Sequence, residues 1–166
     1  KVLTPETQSG QAIAGAVGIT PACGYVSPLG AMVIGLVAGA LCSTAVGLKY
    51  KLGYDDSLDV VGVHGVGGVV GMIAIGLLAT NSVNDAIGNG LLNGGGVDLL
   101  SKQLIAVLVT AAYAFTATYL IAKILDKAIG LRVDSETEMT GVDTILHAES
   151  AYDFTGVGGA GHLGRH

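Results

Sequence analysis

A chain of 166 residues that is 51% hydrophobic and only 13% charged is too apolar for a soluble domain, whose charged share runs about twice as high. Its net charge of −5 excludes a basic nucleic-acid footprint, and 27 glycines beside 3 prolines exclude both collagen and a Pro-rich linker. Cys23 and Cys42 both lie inside apolar runs, where a thiol acts as a small hydrophobe, so neither a disulfide nor a metal site is expected.

In chain order, Lys1 is followed by Thr4, Pro5, Glu6, Thr7 and Gln8, which is not the order of a signal peptide. The chain has no initiating Met and enters an apolar segment almost at once, so it is expected to be a piece of a longer protein. No Asp, Glu, Lys or Arg occurs between Glu6 and Lys49, between Asp59 and Asp85, or between Lys102 and Lys123. A helix needs about 20 apolar residues to cross the hydrocarbon core, so the first gap accommodates two crossings and the others one each. A break at 24–30, with Pro28, separates the first two. The predicted spans are Gln11–Tyr25, Gly30–Leu48, Val60–Thr80 and Leu104–Leu125. The intervening segment 81–101, rich in Asn and Gly, is expected to be irregular, and the polar tail from Leu131 to end in disorder past Gly156, with His162 and His166 holding no metal. The expected fold class is therefore all-α, a polytopic transmembrane helix bundle over residues 1–130 with a tail at 131–166. Lys49 and Lys51 share a side with Lys123, Lys127 and Arg132, against Lys102 alone on the other, so the positive-inside rule puts the 49–59 loop and the tail in the cytoplasm.

His64 carries the chemistry. An ionisable residue inside a membrane span is costly and usually faces a cavity or a pathway. The bland alternative is a core histidine bonded to a backbone carbonyl. A neutral imidazole offers one donor and one acceptor, enough to pass on a small polar molecule or a proton. Gly62, Gly65, Gly67, Gly68 and Gly71 surround it and strip much of the helix surface of side chains, for which close helix packing is the simplest reason. Gly35 and Gly39 form a second small-residue face. A dinucleotide reading of Gly65-Val-Gly67 fails, because position 70 is Val and no strand precedes it. Asp55, Asp56 and Asp59 stand just before this span, where acidic groups can cap free N–H groups, a role favoured over metal binding.

The stretch Asp55-Asp-Ser-Leu-Asp-Val-Val-Gly-Val-His-Gly-Val-Gly-Gly68 resembles the signature of the ammonium transporter (Amt/Rh) family. Ile19-Thr-Pro-Ala-Cys-Gly-Tyr-Val26, Gly130-Leu-Arg-Val133 and His147-Ala-Glu-Ser-Ala-Tyr152 are similar to further family blocks in the same order, over about residues 10–152. The resemblance implies an eleven-helix protomer in a homotrimer, with a pore in each subunit, of which this chain holds roughly the last four helices. It implies a multi-pass cell-membrane transporter of ammonium or ammonia, not an enzyme, and no cofactor. His64 matches the second of the family's two pore histidines, and Ile13, Thr20 and Val60 match pore-lining positions. Gly130, Leu131 and Arg132 resemble the cytoplasmic segment that couples subunits, on the face that receives a PII-type signal protein. The first pore histidine, the outer aromatic site and the phenylalanine gate would belong to an absent N-terminal part. Val61 departs from the family's frequent Phe, and residues 1–9 match poorly. A nitrogen-status sensor acting through its tail, and a secondary transporter of another fold with a proton-relay histidine, are the alternatives.

Overall fold

The computed structural model describes residues 5–142 and 145. The expected disorder past Gly156, the His162/His166 pair and the 147–152 block lie outside them. Five α-helices follow one another: α1 Pro5–Ile19, α2 Pro28–Leu52, α3 Val66–Leu78, α4 Asp98–Ile129 and α5 Ser135–Thr140. A π-helical turn, Val60–Gly65, runs directly into α3, and short 3-10 turns occupy Thr20–Ala22 and Leu91–Asn93. The described residues contain no strand, only one antiparallel bridge between Val26 and Ala79.

Three helical runs are long and apolar enough to cross a bilayer: Pro28–Leu52, Val60–Leu78 and Asp98–Ile129. They match the second, third and fourth expected spans. The first differs, since its 15 α-helical residues extend only about 22 Å. It starts earlier than expected and stops at Ile19, because Pro21 has no N–H to donate and disfavours the α conformation before it; the chain tightens into the 3-10 turn instead. α2 and α4 run past their expected ends, to Leu52 and from Asp98 to Ile129, because hydropathy marks the lipid-crossing part while the backbone ladder continues through flanking charges. The break around Pro28 is present. Ser27 accepts the Gly30 N–H at 3.2 Å, and Pro28 sits in the first turn, where no N–H is needed. Gly53, at φ 69°, closes α2 by donating to the Lys49 carbonyl.

The chain divides into two compact units between Ala114 and Phe115. In the first, α1, α2 and α3 pack through residues with little or no side chain. A Cβ built on Gly15 would lie 3.0 Å from the Gly35 carbonyl oxygen, and one on Gly39 would lie 3.2 Å from that of Gln11. Gly35 and Gly39 are thus a packing face, as their spacing predicts. Ala22, Val26, Ile34, Ala74, Ile75 and Ala79 form the core where these helices meet. Large apolar side chains, among them Leu29, Met32 and Leu36, remain on the outside, an unfavourable arrangement in water and the ordinary one against lipid.

In the second unit, Gly130 ends α4 at φ 79°, a left-handed conformation that costs a side chain about 1 kcal/mol. Arg132 pairs with Glu138 at 3.1 Å, and Asp134 caps α5 by accepting from the Thr137 N–H at 2.8 Å and its hydroxyl at 3.0 Å. The Thr137 N–H first, and then its hydroxyl, hold the Asp134 carboxyl below its usual range. A lowered folded value means the cap acts fully above the unfolded value, about 3.9, and is lost as pH falls through the folded one. Acid titration followed by amide exchange at Thr137 should therefore show α5 persisting until the pH drops below the ordinary carboxylate value. Loss of protection at or above that value would mean the cap contributes nothing.

Candidate functional site at the His64 turn

The helical run that bears His64 does not begin as an α-helix. In the turn Val60–Gly65 the Val66 N–H reaches back five residues to the Val61 carbonyl and is shared with that of Val63. A π-helical turn leaves an N-terminus that needs outside acceptors, and Asp56 supplies them. Its Oδ1 accepts the Val60 N–H at 2.7 Å, and its Oδ2 accepts those of Val61 at 3.0 Å and Gly62 at 3.3 Å. Asp59, immediately before the turn, is the one non-glycine residue with positive φ among the described residues, at 56°. Its carboxylate pairs with Lys49 Nζ at 2.5 Å, and the same ammonium donates to the Asp56 carbonyl oxygen at 2.8 Å. The Lys49 side chain is only 11% exposed and that of Asp59 33%. Asp55 accepts the Ser57 hydroxyl at 3.2 Å.

Further along the turn, the buried Cys42 thiol donates to the Val63 carbonyl at 3.6 Å, while Cys23 is exposed. Gly62 lets α2 approach, since a Cβ there would come within 2.8 Å of Val46 Cγ2. Packing accounts for only part of the glycine-rich face. Gly62, Gly67 and Gly71 lie against other elements, whereas Gly68 has nothing within 4 Å and Gly65 meets only Val61 of its own turn. Gly65 and Gly68 therefore leave open surface, and His64 is exposed beside them.

The other expected pore-lining residues, Ile13, Thr20 and Val60, are exposed as well. Val60 is one turn before His64. Ile13 and Thr20, seven apart and hence on one face of the first helical segment, flank Val17, which rests against Gly67: a Cβ there would lie 3.1 Å from Val17 Cγ1. The Thr20 hydroxyl donates to the Ala16 carbonyl at 2.7 Å, which leaves its lone pairs as acceptors. Ile13, Thr20, Val60 and His64 are thus each exposed, and none of them is enclosed by the described residues. A groove of about 820 Å³ between α1 and α2 is lined by Gly15, Gly35, Gly39, Gln11 and Ser43 among others, and His64 is not part of it. Gly130, Leu131 and Arg132 lie in the other unit, at the end of α4. Lys49 is the residue whose importance the sequence conceals. Read as a loop charge that sets orientation, it turns out to bond both acidic residues that begin the His64 turn.

The Ammonium Transporter Family model matches residues 2–152. The ammonium transporter of Mycobacterium tuberculosis is 49% identical over 153 residues, covering 89% of this chain and 32% of the relative. Ammonium transporter Amt1 of Archaeoglobus fulgidus is 49% identical over 141 residues, covering 85% and 35%. The crystal structure of Candida albicans Mep2 superposes with a TM-score of 0.70 at 38% identity, over 76% of this chain and 29% of that one. The chain spans about a third of the length of these relatives. With its apolar spans, its helical packing and a family match running almost from end to end, the chain is a membrane protein that belongs to the Ammonium Transporter Family.

Proposed function

We propose that the intact protein moves ammonium or ammonia across the membrane, and that His64 stands in its path. The observation that carries this reading is an imidazole presented beside two open glycines on a membrane-spanning apolar helix, in a chain of this family. An unpaired cation is very costly in hydrocarbon, so ammonium must shed its proton, or be solvated by the protein, before entering an apolar route. Ammonia then needs only a donor and an acceptor midway, both of which an imidazole ring such as that of His64 can offer. Ile13 and Val60 keep water scarce along the wall, Thr20 adds acceptor lone pairs at one end, and the remaining two-thirds of a relative-length protein closes the opposite wall. His64→Ala in the intact protein should lower methylammonium uptake several-fold at unchanged surface expression. Uptake and selectivity equal to wild type would remove His64 from the path.

The same reading assigns the tail. With Lys49, Lys51, Lys123, Lys127 and Arg132 on one side of the bilayer and Lys102 on the other, the tail is cytoplasmic, and Gly130, Leu131 and Arg132 couple the subunits of a trimer and offer a face to a PII-type protein. Cysteine placed at Ser135 should be labelled only from the cytoplasmic side, in particles with the mass of three protomers. PII pull-down should be lost without residues 131–166; labelling from outside, or binding that ignores the tail, would remove this assignment.

A further inference from the structure

We infer that Lys49 is a positioning residue for His64, acting through Asp56 and Asp59 to hold the π-helical turn in register. The inference rests on the transport reading for its functional consequence but on geometry alone for its structural one. Three unfavourable features meet at this turn. A π-helical register is rare and recurs where a helix is bent to a task. Asp59 holds a left-handed backbone conformation that side chains seldom adopt. Lys49 is a cation almost withdrawn from solvent. Strain of this kind persists only where the surroundings over-determine it.

Here the surroundings converge on one ammonium group. Lys49 Nζ holds the Asp59 carboxylate at 2.5 Å, which fixes the side chain of the left-handed residue. It also takes the Asp56 carbonyl at 2.8 Å, which fixes the residue whose carboxylate receives the Val60, Val61 and Gly62 N–H groups. His64 follows two residues after the last of these, and its direction depends on whether the turn is π or α. Lys49 is in the last turn of α2, a separate element, so it ties the His64 turn to the neighbouring span instead of to its own loop. The exposed Lys102–Asp98 pair, at 2.6 Å within one helix, has no such reach and serves as the control.

The test uses the intact protein and two readouts. Structures of Lys49→Met and of Asp59→Asn, the latter chosen because Asn tolerates the left-handed conformation, should show the 60–65 turn relaxed toward α and the His64 ring displaced. Methylammonium uptake should lose about tenfold in maximal rate with little change in KM, as expected when a group is misplaced and not removed. Lys102→Met should change neither readout. An unmoved turn and His64 ring in either variant overturns the inference, and Asp59→Asn carries the test alone if Lys49→Met yields no folded protein. A displaced ring with wild-type uptake keeps Lys49 as a positioning residue and instead removes His64 from the transport reading.

Discussion

Gly71→Ala is expected to destabilise the bundle by about 3 kcal/mol, near the upper end for forcing a methyl into a packed contact. The Cβ would collide with the Gly18 carbonyl oxygen and lie 2.5 Å from Pro21 Cγ and 3.1 Å from Pro21 Cδ. Neither neighbour can step aside. The carbonyl is backbone, and the proline ring is fixed where the first helical segment tightens into its 3-10 turn. Gly68→Ala, one turn earlier on the same helix, is the matched comparison. Its Cβ meets nothing within 4 Å, so alanine's better helix propensity, about 1 kcal/mol, should leave stability equal or slightly higher. Thermal unfolding of the two variants in detergent separates the cases. If Gly71→Ala unfolds no earlier than Gly68→Ala, the close approach described for this helix is wrong.

Asp56→Ala should cost about 2 kcal/mol, at the top of the range for a lost cap, because one carboxylate serves three N–H groups that have no other acceptor at the start of the turn. Asp56→Asn keeps one carbonyl acceptor and should cost about half as much. Hydrogen exchange at the Val60, Val61 and Gly62 amides should accelerate in the same order, and uptake should fall with it, since His64 rides on this turn. Wild-type exchange rates at those three amides in Asp56→Ala would show that the cap is not what holds the turn. His64→Ala should give the opposite pattern, with lost uptake and little loss of stability, because its exposed ring contributes little packing within this chain.

Much of this was legible in the residues. Uncharged gaps located the three spans, because the cost of a charge in hydrocarbon leaves a mark that any sequence shows. Pro28 located the break before α2, and the four-residue spacing of Gly35 and Gly39 marked a packing face without naming its partner. Hydrogen-bond register leaves no such mark. The π-helical turn is as apolar as an α-helical one, so Val60–Thr80 reads as one uniform helix until the bond from Val66 back to Val61 is seen. Helix ends were misplaced for a related reason: the lipid boundary and the last backbone bond are separate events, and only the first is written in hydropathy.

From the sequence alone came the membrane, the helical class, the family resemblance and the placement of His64 in a span, all of which depend on local composition and short spacing. The tertiary structure decided which glycines touch a neighbour and which stand open, and that Lys49 grips the start of the His64 turn instead of lying in solvent. Those outcomes depend on residues in different elements, seven or more positions apart, meeting in space. Their contacts are selected by how closely two helices can approach, and no single segment encodes that.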